Sequence, residues 1–175
     1  MTFQVLLFYC NDSTWLRCSR SDAIAGKSME KGLGQEVNKV DALLESNLQS
    51  VDDAERLVLD VARNAGFPED ELHKISMAVR ETVVNAVVHG NRYSAHKKVH
   101  LQVSRAADHL TVTVGDQGNG FDLSSLPDPL AEENLLHQSG RGILLIRAFV
   151  DEYCVRRLSP AGTEVKLVKY LTHES

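Results

Sequence analysis

Two runs of strict alternation constrain the fold more than any other feature of this chain. Val99, Leu101 and Val103 alternate with polar residues, and so do Leu110, Val112 and Val114. A period of two puts every apolar side chain on one face of a pleated strand. The link between the runs is short, and Ala106-Ala107-Asp108 forms its turn. Strands joined so closely are antiparallel, because a parallel pair needs a crossover of a dozen or more residues.

The segments around this hairpin predict the rest of the fold. Lys39 to Ser46 reads as a weakly alternating strand. Ser50 then has the chemistry of an N-cap, its hydroxyl accepting from first-turn amides. Ala54, Leu57, Val58, Val61 and Ala65 follow at helical spacing, with Gly66 as C-cap and Pro68 blocking continuation. A second helix spans about Glu69 to His89, with Leu72, Ile75, Val79, Val83 and Ala86 on one face, and Gly90-Asn91 ends it. After the hairpin come a loop from Gly115 to about Ser139, a third helix from about Arg141 to Val150, and two closing strands. These strands cover about 152–158 and 163–170, around the turn Ser159-Pro160-Ala161-Gly162. This order predicts an α+β two-layer sandwich, a mostly antiparallel sheet covered on one face by about three helices, not a doubly wound sheet.

Residues 1–34 lack a sustained period and are expected to be a poorly ordered N-terminal extension, with Met29 as an alternative start. Residues 35–175 form the domain. A chain of 175 residues with 43% hydrophobic and 25% charged residues buries a core without staples. Its net charge of -5 argues against broad nucleic-acid binding. The three cysteines are widely spaced and odd in number, which reads as a reduced protein of the cytoplasm. No apolar run approaches the length of a membrane span, and Val5 to Tyr9 is too short for a signal peptide.

Four short constellations carry candidate chemistry. Glu81 and Asn85 are four apart on the second helix and share a side. A carboxylate and a carboxamide so placed suit a base and a Mg²⁺ ligand. Val84 and Val88 flank them and suggest a pocket wall. Asp116-Gln117-Gly118-Asn119-Gly120 follows a strand; the glycines let a planar ligand approach, and Asp116 can accept from an exocyclic amine. Ser139-Gly140-Arg141-Gly142 opens the third helix, where free amides and a cation suit phosphate. Thr163, after Gly162, enters the last strand, where it can share a water with Asp116. Singly, these also fit a solvated helix face, a Gly/Asn turn, a loop-to-helix junction and an ordinary strand threonine.

Other signals lead nowhere. Gly26-Lys27-Ser28 lacks the first glycine of a P-loop, since Ser21 stands there. Gly118-x-Gly120 has Leu123 in place of a third glycine. His96 and His100, with His89 upstream, lack the usual set of zinc ligands. No G-x-S-x-G is present to support a nucleophilic serine.

In order and spacing the four constellations resemble the N, G1, G2 and G3 boxes of the GHKL ATPases. The runs from Glu81 to Asn91, Asp116 to Asp122, Gly140 to Glu152 and Gly162 to Val165 are similar to those of the anti-sigma regulatory serine-protein kinases. The resemblance covers about residues 36–171. It implies ATP and Mg²⁺ as cofactors, Glu81 as general base and Asn85 as Mg²⁺ ligand. Asp116 would read adenine with Thr163 in support, Gly118 and Gly120 would shape its pocket, and Gly140, Arg141 and Gly142 would close over the phosphates. It also implies a homodimer that holds a sigma factor and phosphorylates an anti-sigma-factor antagonist of the STAS type. Some relatives carry Arg before the first glycine of the third box; here Gln138 and Ser139 stand there, and Arg141 lies between the glycines. The alternative is a nucleotide-binding regulatory module that sequesters a partner with little or no kinase activity.

Overall fold

The computed structural model describes residues 16–19, 38–119 and 138–171. The elements run β1 (Leu16–Ser19), β2 (Asn38–Glu45), α1 (Gln49–Ala65), α2 (Glu69–Val84), a π-helical turn (Asn85–Gly90), β3 (Lys98–Arg105), β4 (His109–Gly115), α3 (Gln138–Phe149), β5 (Glu152–Arg157) and β6 (Thr163–Tyr170). Among the described residues the strands form one six-stranded sheet in the order β1-β5-β6-β4-β3-β2. All pairings are antiparallel.

The predicted hairpin is present. Leu101 faces Val114 and Val103 faces Val112, and the Ala106 amide donates to the His109 carbonyl to close the turn. Val99, Leu101, Val103, Leu110, Val112 and Val114 all point to the core and are at most 2% exposed. The helices pack on that same face. Val58 and Ala54 of α1 and Leu72, Ile75, Val79 and Val83 of α2 complete the core. Arg80 ties α1 to α2 by pairing with Asp52 at 2.8 Å and with Glu55. Such half-exposed pairs are worth at most about 1 kcal/mol, so apolar burial holds the layers together.

Helix ends decide how the chain enters the sheet. Gly66 sits at φ 90°, and its amide and that of Phe67 reach the last carbonyls of α1, the C-cap expected. At the other end the cap differs from expectation. The Asn47 carboxamide accepts from the Ser50 amide at 3.2 Å, while the Ser50 hydroxyl donates to the Glu45 carbonyl at 2.6 Å. The N-cap position is Leu48, which offers no side-chain cap; Asn47, one residue earlier, serves the Ser50 amide, and buried Ser50, inside the first turn, ties α1 back to β2.

Three further differences concern element bounds. Leu16–Ser19, inside the expected extension, pairs with β5 as an edge strand; the rest of 1–34 lies outside the described residues. Regular α2 stops at Val84 and continues as a π-turn, in which Asn91 donates to Ala86 at 2.8 Å. Helix α3 begins at Gln138, so Gly140 and Arg141 lie inside its first turn.

Candidate functional site

Asp116 follows the last residue of β4 and is 8% exposed. Its Oδ1 accepts the amides of Gly118 at 2.8 Å and Thr163 at 3.2 Å. The Asp116 amide donates in return to the Thr163 carbonyl at 2.9 Å. Thr163, at the first position of β6, is thus tied to Asp116 by two backbone hydrogen bonds. Burial raises the Asp116 carboxyl above the ordinary aspartate value. The Gly118 and Thr163 amides, the charge of Lys97 and the Thr163 hydroxyl pull it part of the way back.

Two glycines make room for this carboxyl. A Cβ on Gly90 would stand 2.6 Å from Asp116 Oδ2 and 2.8 Å from its Cβ. A Cβ on Gly118 would stand 2.7 Å from the Gly90 carbonyl carbon and 2.9 Å from Asp116 Oδ1. The end of the π-turn and the loop after β4 therefore touch backbone to backbone. No larger residue fits at either position without moving Asp116.

Glu81, on α2, and Asn85, at the start of the π-turn, lie upstream of Gly90, and both are half-buried. The Asn85 amide donates to the Glu81 carbonyl, which fixes their stacking. Val84 and Val88 beside them are also half-buried, as a pocket wall requires. The π-turn starts at Asn85. Such a widened turn shifts the side chains that follow relative to a regular helix, and it is frequent at functional sites.

Gly142 of α3 meets Glu81 directly. A Cβ there would overlap Oε1 and stand 2.7 Å from Cδ. Helix α3 thus brings the third constellation against the first. The fold joins Glu81, Asn85 and Gly142 in one set of contacts, and Gly90, Asp116, Gly118 and Thr163 in another. Gly140 and Arg141 are in the first turn of α3, and the Arg141 side chain, like all of Gly120, lies outside the described residues.

Sequence reasoning took Asn91 only as a helix stop. The structure gives it more, because its side chain is 1% exposed and bridges two segments. Its Nδ2 donates to the Lys98 carbonyl at 2.9 Å, and its Oδ1 accepts the Gln117 amide at 2.8 Å. Gln117 answers by accepting the Lys98 amide at 2.7 Å. The available signal was a polar residue following Gly90 at the end of an apolar helix. His100 pairs with Asp41 at 2.7 Å on the sheet, and His96 stands in the turn before β3.

A buried carboxyl at a strand end, a carboxylate–carboxamide pair on a helix and a glycine-bearing helix sit on one layered α+β sheet, the fold of the histidine kinase-like ATPases. Residues 44–169 match the family described as histidine kinase-like ATPase domain. The anti-sigma F factor of Oceanobacillus iheyensis is 32% identical over 105 residues, 59% of this chain and 72% of that protein. The serine-protein kinase RsbW of Bacillus subtilis is 31% identical over 126 residues, 68% of this chain and 78% of that one. The chain belongs to the histidine kinase-like ATPase family, within its group of anti-sigma factors and anti-sigma serine-protein kinases. The crystal structure of the RsbU and RsbW domains of Rv1364c from Mycobacterium tuberculosis shares the fold, with a TM-score of 0.58 at 17% identity over 79% of this chain; this chain spans 34% of that one. No helix among the described residues is long and apolar enough to cross a membrane.

Proposed function

We propose that this protein is an ATP-dependent serine-protein kinase that acts as an anti-sigma factor in the cytoplasm. The observation that carries the reading is the meeting of Glu81 with Gly142, which brings the candidate base to the helix start suited to phosphates. Asp116 accepts the adenine amine, with Gly118, Gly120 and Thr163 shaping its surroundings. Gly140 offers a free first-turn amide and Arg141 a cation to the phosphates, and Gly142, against Glu81, closes beside them.

The donor set suits magnesium, which takes one or two protein oxygens and fills the remaining positions with water and phosphate. Asn85 would hold it through its carboxamide oxygen, and the ion would neutralise charge on the phosphates. Glu81 accepts the proton of the substrate serine hydroxyl. The serine oxygen then bonds to the γ-phosphorus, the bond from that phosphorus to the β–γ bridging oxygen breaks, and ADP departs.

The relatives named as anti-sigma factors and as a serine-protein kinase support a sigma factor as the held partner. The phosphorylated partner is an antagonist of the STAS type, and the working form is a homodimer without direct nucleic-acid contact. Two measurements test the reading. Labelled γ-phosphate should pass to a STAS-type antagonist with wild type and not with Glu81→Ala, while ATP binding survives the substitution. ATP binding without any transfer by the wild type would leave only a nucleotide-binding sequestering module. Light scattering of the free protein should give twice the mass of one 175-residue chain; a monomer would remove the homodimer.

A further inference from the structure

The Asn91 side chain is buried and polar, and its hydrogen bonds run to Lys98 and Gln117, not to a candidate nucleotide-binding group. It holds the segment that carries them. Gln117, whose amide it accepts, is the residue between Asp116 and Gly118. The opposite end of the same carboxamide is anchored on the Lys98 carbonyl at the start of β3. Gln117 closes the bracket by accepting the Lys98 amide. Three chain segments meet there: the end of the π-turn, the first residue of β3 and the loop after β4.

The bracket complements the hold on Asp116 from the other side. Oδ1 of Asp116 is fixed by the Gly118 and Thr163 amides. The Gly118 amide is a useful donor only where the backbone from 116 to 118 keeps its path, and the Asn91–Gln117 bond lies at the middle of that path. Gly90 limits the carboxyl on the facing side, and Gly90 immediately precedes Asn91. Two adjacent residues, Gly90 and Asn91, therefore set the wall opposite Asp116 and the loop behind it.

We propose that Asn91 is a positioning residue for adenine recognition, acting through Gln117 on the Asp116 carboxyl. The proposal rests on Asp116 being the group that reads the exocyclic amine. Its consequence is specific: loss of the bracket should damage recognition of the amine more than binding of the phosphates, which lie toward Glu81 and α3.

The test compares ATP with purine riboside triphosphate, which lacks the amine, by titration calorimetry on wild type, Asn91→Ala, Asn91→Ser and Asp116→Ala. Serine keeps a polar group in the buried position but is too short to span both partners, so it serves where the alanine variant does not fold. Wild type should prefer ATP. Both Asn91 variants should lose about tenfold in ATP affinity, the scale of one hydrogen bond, and little for the analogue. The preference should shrink toward that of Asp116→Ala. Equal losses for both nucleotides would make Asn91 merely structural and overturn the proposal, as would an unchanged preference. If Asp116→Ala itself keeps the preference for ATP, the reading of Asp116 fails first, which is a separate result from failure of Asn91.

Discussion

Glu81 and Gly142 are in contact across two helices, and the contact leaves no room for a side chain on the glycine. A Cβ on Gly142 would stand 2.7 Å from Glu81 Cδ and 3.0 Å from its Cγ, and would overlap Oε1. The far end of a glutamate can swing away, so the clash is relieved by moving the candidate base. Alanine also favours a helix over glycine by about 1 kcal/mol. Gly142→Ala should therefore leave the melting temperature unchanged or raised while phosphoryl transfer falls tenfold or more. Transfer at the wild-type rate would detach Glu81 from catalysis.

Gly90→Ala should behave in the opposite way. Its Cβ would meet Asp116, whose carboxyl is buried and bound by two amides and has nowhere to go. Both stability and ATP affinity should drop, by a cost on the order of 1–3 kcal/mol for overpacking. Denaturant midpoints and calorimetry read the two losses; a variant as stable as wild type would show that the loop after β4 yields easily.

The raised Asp116 carboxyl predicts a pH dependence with a definite sign. In the free protein a raised value means stability that is full below the unfolded aspartate value and is lost as pH rises through the folded one. An amine donor binds the carboxylate more strongly than the neutral acid, so ATP affinity should be greatest above the raised value and fall as pH falls through it. Asp116→Ala should cost about 1–3 kcal/mol of binding at neutral pH and flatten this profile. Affinity that rises on acidification would reverse the assignment.

Asn85→Ala should alter only the magnesium-dependent part of binding. ATP at about 100 times its dissociation constant adds about 2.7 kcal/mol of stability to the wild type. In a thermal shift assay the variant should show less of this with Mg²⁺, and a shift equal to wild type in EDTA. Equal shifts in both conditions would remove Asn85 from the metal site.

The core makes its own prediction, independent of any ligand. Leu101 is fully buried where the hairpin meets α1. Leu101→Ala should cost about 2–5 kcal/mol, through lost transfer energy and the cavity left behind. Chemical denaturation measures it, and a loss below 1 kcal/mol would mean that the sheet and helices close over the gap.

Much of the molecule is legible without coordinates, because the signals are local. Alternation marked β3 and β4 almost to the residue, and the periodic apolar faces of α1 and α2 are the buried ones. Gly66 declared its cap, since a left-handed C-terminal residue is a backbone matter that glycine alone satisfies cheaply. The four candidate segments are each continuous in sequence, so spacing exposed them. What sequence determined was this: which stretches are strands or helices, which face of each is apolar, and which short runs carry unusual polar chemistry.

Tertiary structure decided the rest, and the reason is separation along the chain. Ser50 and Asn47 are equally good capping residues by type; the helix starts at Gln49, so Ser50 falls inside its first turn, donating to the Glu45 carbonyl, and Asn47 serves the Ser50 amide from before the N-cap Leu48. The π-turn at Asn85 shows in hydrogen bonds five residues apart, to which side-chain periodicity is blind. Strand β1 exists through pairing with β5, more than 130 residues later by number. Asn91 looks like any helix stop until Gln117 and Lys98 are brought to it. The meeting of Gly142 with Glu81, and of Thr163 with Asp116, was likewise settled by packing, because a site shared by distant segments exists only once the sheet and its helices have closed on one core.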